Sequence, residues 1–229
     1  MAAKQLRDSF KPLPSEQDIE TFVAAAAAGN KKTVVRYLNK YGTYIDKKNK
    51  EGWSALRYAA KNGHRHVVEA MLDKGFAIDV KDRDGMTALL YAAREGHKDT
   101  LELLIERGAD INAQDKFGWS ALMGAAQYGR MPVVELLLEK GANKDVQNND
   151  GWTALMWAAW NLRKNVVELL LEKGASPDIK DNTGMTALMI VRGCGDPDIV
   201  TLLEQWTEKQ KQAFLAATTR TTPPVGRSS

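Results

Sequence analysis

The chain has 229 residues, 27% of them charged, and 32 Lys and Arg against 29 Asp and Glu leave a net charge of +3, too small a surplus to imply a polyanionic partner. A single cysteine, Cys194, excludes an internal disulfide framework and fits a reducing compartment. The start MAAKQLRDSFKPLP lacks the apolar centre of a secretory leader, and no stretch approaches the roughly 18 apolar residues of a membrane span, so a soluble cytoplasmic or nuclear protein is expected.

Residues 1–14 read as an N-terminal extension. Pro14-Ser15 with Asp18 three residues later predicts a helix start, and IETFVAAAAA over 19–28 continues the helix as a capping unit whose outer face need only be wetted. Lys31-Lys32 and Lys47-Lys48-Asn49-Lys50 are the densest basic runs. Runs this short are the usual pattern of a solvated face, and nucleic-acid binding is not expected.

From Gly52 onward the chain repeats. Glycine recurs at Gly52, Gly85, Gly118, Gly151 and Gly184, a step of 33 residues, each followed by Trp or Met and then Ser/Thr-Ala-Leu. Such self-similarity marks units that cannot bury their apolar faces alone and must stack. Ser54, Thr87, Ser120, Thr153 and Thr186 stand where a hydroxyl can cap a helix. The alanine pairs at 59–60, 92–93, 125–126 and 158–159, with Leu56, Leu89, Leu122 and Leu155, form the apolar stripe of a helix of about two turns.

Gly63, Gly96 and Gly129 predict left-handed ends for these helices. Leu162 stands at the same position in the next unit, which predicts a distorted or lengthened helix end there. Second helices follow, with pairs such as Val67-Val68, Leu104-Ile105, Val133-Val134 and Leu170-Leu171, and stop at Gly75, Gly108, Gly141 and Gly174 before Asp/Asn/Gly-rich turns. In the last unit Val191-Arg192 replaces the alanine pair, Gly193 and Gly195 predict a shortened inner helix, and Asp196-Pro197 restarts the outer one. QKQAFLAATT beyond Trp206 can extend that helix; TTRTTPPVGRSS at the end predicts disorder.

These residues resemble the ankyrin-repeat family, whose unit has the form D-x-x-G-x-T-P-L-H-x-A-A-x-x-G-H, then a V-V…L-L helix, then G-A-D-V-N-A. Asp82, Asp115 and Asp181, with Asn49 and Asn148 as substitutes, match the acidic turn position, and His64 and His97 match the Gly-His. The family's T-P-L-H appears as Ser/Thr-Ala-Leu followed by Arg57, Leu90, Met123, Met156 or Met189, so its proline and histidine are both missing. The resemblance implies an all-α solenoid of stacked helix-turn-helix units with projecting β-turn loops. Its repeats are expected at about 15–48, 49–81, 82–114, 115–147, 148–180 and 181–208, with a tail at 209–229.

No catalytic, cofactor or metal site is expected. His64, His66 and His97 do not supply a zinc ligand set, Cys194 has no histidine in register, and Gly193-Cys194-Gly195 lacks the lysine and preceding strand of a phosphate loop. By the resemblance, the turn tips and first helices line a concave binding side. Carried over by register, the partner-contact candidates are Trp53, Met86, Arg94, Phe117, Trp119, Tyr128, Trp152 and Trp160, centred on the third to fifth repeats. Trp53, Trp119 and Trp152 recur at one register, which suits stacking within the array as well as recognition. Phe117 and Trp160 break their columns and point more directly to a partner, while Trp157 aligns with Tyr58 and Tyr91 as core. The resemblance also implies Asn112 as a candidate for asparaginyl hydroxylation. The expected function is that of a noncatalytic scaffold or adaptor, a monomer that grips an extended or helical protein segment with no membrane role; the alternative is an inhibitory regulator that blocks an enzyme or transcription factor.

Overall fold

The structure is a computed structural model that describes residues 12–49 and 53–219. Its described helices form six successive pairs: α1 (Glu16–Ala27) and α2 (Lys31–Tyr41), α3 (Ala55–Lys61) and α4 (Arg65–Leu72), α5 (Ala88–Glu95) and α6 (Lys98–Glu106), α7 (Ala121–Gln127) and α8 (Met131–Glu139), α9 (Ala154–Trp160) and α10 (Lys164–Glu172), α11 (Ala187–Cys194) and α12 (Pro197–Thr219). A short 3-10 helix, Gly42–Ile45, follows α2. Most of the C-terminal segment expected to be disordered lies outside the described residues, as does Gly52.

Each inner-helix start has a chemical cause. Ser15 and Asp18 close a reciprocal capping box, the Ser15 hydroxyl accepting from the Asp18 amide at 3.1 Å and the Asp18 carboxylate from the Ser15 amide at 3.0 Å. The hydroxyls of Ser54, Thr87, Ser120, Thr153 and Thr186 accept from the amide three residues on, at 3.3–3.4 Å. Each thereby satisfies one of the free donors opening an inner helix.

The odd-numbered helices pack in one row and the even-numbered helices in a second. The alanine pairs of α3, α5, α7 and α9 are fully buried, and their small side chains let inner helices approach one another more closely than outer helices do. Between the rows lie Val67, Val68 and Met71, then Leu101 and Leu104, Val133, Val134 and Leu137, and Val166, Val167 and Leu170. Each of these buried aliphatic side chains contributes roughly 1.5–3 kcal/mol of burial free energy, so one core runs unbroken from Phe22 to Leu203.

The connecting turns are laddered unit to unit. The Lys116 amide donates to the Asp84 carbonyl at 3.0 Å, Asn149 to Phe117 at 3.0 Å and Asn182 to Asp150 at 3.1 Å. Within each tip one side-chain oxygen accepts two amides: Asp82 from Asp84 and Met86, Asp115 from Phe117 and Trp119, Asn148 from Asp150 and Trp152, and Asp181 from Thr183 and Met185. This job explains why Asp and Asn alternate at the position: both present the needed acceptor.

Two sequence expectations fail. The end of α9 is not distorted, because Leu162 adopts the left-handed backbone itself, at φ 56°. A β-carbon at Gly29, Gly63, Gly96 or Gly129 would come within 2.5–3.0 Å of the side chain of His64, His97, Arg130 or Arg163 in the next unit. The residue in that column after Leu162 is Asp196, whose carboxylate folds back to accept from the Asp198 and Ile199 amides at 3.0 Å. That leaves room for a leucine. Nor is α11 shortened: it keeps eight residues, with Gly193 inside the helix and Gly195 forming the left-handed cap.

Candidate partner-binding surface

The tryptophans that follow the tip glycines pack on side chains at the fourth position of the inner helices. In the first full unit Trp53 stacks on Tyr58 at 4.7 Å. The Arg57 guanidinium sits 3.0 Å from the Trp53 ring centre and 4.5 Å from that of Tyr91, and ion-pairs with Asp82 at 3.1 Å. The Tyr91 hydroxyl donates to the same carboxylate at 3.0 Å. Burial pushes the Tyr91 phenol up to about 12, against the pull of Arg57, so it stays a neutral donor. This cluster is closed, and Trp53 is part of it.

Toward the C-terminal end Trp157 lies between two tip tryptophans, 4.3 Å from Trp119 and 4.5 Å from Trp152. Trp160 stands edge-on to Trp152 at 6.0 Å, with half of its surface exposed. The recurring tryptophans are therefore half-buried members of a stack, as Trp157 is, whereas Phe117, Tyr128 and Trp160 remain 53%, 39% and 52% exposed.

Between these two aromatic blocks the surface opens. The fourth inner-helix position carries Tyr58, Tyr91, Gly124, Trp157 and Ile190 in successive units, so α7 has no side chain where its neighbours have large ones. A cleft of about 280 Å³ occupies that place. Leu90, Tyr91, Ser120 and Gly124 form its floor, the tips at Asp84–Met86 and Asp115–Trp119 one side, and Arg94, Gln127 and Tyr128 the other. Five of the eight contact residues expected from register come together here: Met86, Arg94, Phe117, Trp119 and Tyr128. Trp53 belongs to the Arg57 cluster, and Trp152 and Trp160 form the ledge beside Trp157. Gly124, Tyr91 and Asp84 were not among the sequence candidates. The out-of-place glycine in GWSALMGAAQYGR was the one available signal.

Models of ankyrin repeats match residues 22–115 and 108–181. The chain belongs to the ankyrin-repeat family. Ankyrin repeats generally mediate protein–protein interactions. A curated relative, the NAD-capped RNA hydrolase NUDT12 of Pongo abelii, is 31% identical over 64 residues, which are 28% of this chain and 14% of that protein. The matched stretch thus spans a small part of the relative's length.

Side chains outside the cleft tie successive units of the ankyrin stack together. His64 and His97 place Nε2 at 2.9 Å from the carbonyls of Ala27 and Lys61, at or near the end of the preceding inner helix, and Arg130 and Arg163 donate through Nε to Arg94 and Gln127 in the same way at 3.2 Å. The Asn112 side-chain oxygen accepts from the Asn143 amide at 2.9 Å, in a column where Asp79 accepts from Asp110 and Asp145 from Ser176. Asn112 is exposed, and its side chain ties one outer loop to the next. Cys194 is half-buried, with its thiol 3.5 Å from the Ile190 carbonyl. No described helix is long and apolar enough to cross a membrane.

Proposed function

We propose that this ankyrin-repeat protein is a noncatalytic scaffold or adaptor that holds an extended or helical segment of a partner protein across its inner, concave side, between Met86 and Trp160. The observation that carries the proposal is the exposure of Phe117, Tyr128 and Trp160 around and beside an open cleft. Large aromatic side chains half out of water, grouped on one face and rimmed by charged groups, are the composition of interface hot spots. The tighter inner row and looser outer row favour curvature toward that face, which lets one segment touch several units. The likeness to the RNA hydrolase covers too little of that enzyme to bring its reaction along.

Affinity capture with the wild-type chain beside the Phe117→Ala/Trp160→Ala double variant, with bound proteins identified by mass spectrometry, tests the proposal. The double variant is expected to lose the specific partner while keeping its helicity and melting temperature. Equal capture by both proteins overturns it.

A further inference from the structure

We infer that the Gly124 cleft is a socket for one aromatic side chain of an acidic segment of the partner. This rests on the binding face proposed above and names what that face recognises.

The shape is that of an omitted ring. In the units on either side, Tyr91 and Trp157 fill the position that Gly124 leaves empty. Packing does not demand the glycine: its backbone is helical, and an added β-carbon would meet nothing nearer than Arg94 Cβ at 3.6 Å, an ordinary contact. Glycine inside a helix weakens it, so the vacancy is kept at a cost in stability. Four aromatic side chains line the space beside Met86 and Leu90, with Tyr91 buried and Phe117 and Tyr128 exposed, while Asp84, Arg94, Asp115, Ser120 and Gln127 add polar groups. An aromatic ring entering there finds faces and edges to pack against, and little of it stays in water.

Charge selects the flanks of that ring. Around the cleft the carboxylates are already engaged: Asp84 pairs with Lys116, Asp82 with Arg57, and Asp115 accepts the amides of its own tip. Two guanidiniums have hydrogen bonds but no counter-charge: Arg94 donates to the Tyr128 hydroxyl at 3.3 Å, and Arg130 donates through Nε to the Arg94 carbonyl at 3.2 Å. Arg94 and Arg130 lie on Tyr128, at 5.4 and 5.9 Å from its ring centre, and neither has a carboxylate partner among the described residues. Acidic residues flanking the inserted ring would supply the missing counter-charge, Arg being suited to bidentate pairing with a carboxylate.

The test titrates the full chain with the peptide acetyl-Glu-Asp-Phe-Asp-Glu-amide, a counterpart with Ala for Phe, and one with Lys for every acid, reading the indole resonance of Trp119 by NMR and affinity by calorimetry. The Phe peptide is expected to bind at least roughly tenfold more tightly than either control. Gly124→Tyr, which fills the space with a ring, is expected to abolish that preference; Arg94→Glu, at an exposed position, is expected to invert the preference between acidic and basic flanks. Equal binding of the Phe and Ala peptides, no binding of the Phe peptide at about 1 mM, or undiminished binding by Gly124→Tyr overturns the socket. Phenylalanine amide alone binding as tightly as the peptide overturns the acidic-segment assignment. A partner lost by Phe117→Ala/Trp160→Ala yet retained by Gly124→Tyr overturns the socket and leaves the binding face standing.

Discussion

The β-carbon that Gly124 lacks would sit 3.6 Å from the β-carbon of Arg94, near enough to pack and far enough not to clash. A methyl group therefore fits at the floor of the cleft, and the open space above it is a property of the residue chosen there.

Gly124→Ala follows directly. Alanine restores about 1 kcal/mol of helix propensity without strain, which in a chain of this size raises the melting temperature by roughly 2–4 °C. Thermal unfolding followed by circular dichroism checks it. A fall in melting temperature would show that the glycine is a packing requirement.

Leu162→Gly is expected to stabilise the protein by roughly 0.5–1 kcal/mol, since relief of a left-handed leucine outweighs the entropy that glycine adds to the unfolded chain. The reverse change, Gly129→Leu, is expected to destabilise, because at that position the backbone is again left-handed and Arg163 stands 3.0 Å from the added carbon. Chemical denaturation of the two variants decides whether Asp196 is what makes Leu162 tolerable.

Asp181 carries a pH dependence. Burial pushes its carboxyl up, but hydrogen bonds from Thr183 and Met185 outweigh that and hold it below its ordinary value. A carboxyl depressed in the folded state contributes stability that is complete above its unfolded value of 3.8 and is lost as pH falls through the lower folded one. Asn148 performs the same clamp without ionising. Asp181→Asn is therefore expected to keep the turn and to flatten the acid limb, measured as unfolding free energy at neutral pH and through the range below about pH 4.

Asp82→Ala strands the Arg57 guanidinium between Trp53 and Tyr91 and removes the acceptor for the Asp84 and Met86 amides. Loss of one partner from a buried ion pair costs about 3–5 kcal/mol. Because each unit touches only its neighbours, the loss should appear as early unfolding of the first units, visible as a separate phase in urea and as hydrogen exchange concentrated in α3 and α5. A single unshifted transition would contradict it.

Much of this architecture was legible in the chain. The Ser/Thr caps, the alanine pairs and the 33-residue step are local or periodic signals, and each reports a contact that recurs from unit to unit. The candidate site was legible in part: register named Phe117, Trp119, Tyr128, Arg94 and Met86, which line one cleft, and left Trp53 and Trp152 open between recognition and stacking, where one is locked beside Arg57 and the other against Trp157. Whether a tip aromatic stacks or stands free depends on the side chain beneath it, and that side chain lies on an inner helix whose placement is set by the stack.

The amino-acid sequence by itself determined the repeat, its helix starts and the family, because hydrogen-bond caps and apolar spacing act over a few residues and recur at a constant period. Only the tertiary structure decided that Gly124 opens a cleft, that Leu162 can take a glycine's place and that Asn112 ties two loops together. Each depends on which atoms of the next unit, some 30 residues away, fill or leave the adjoining space.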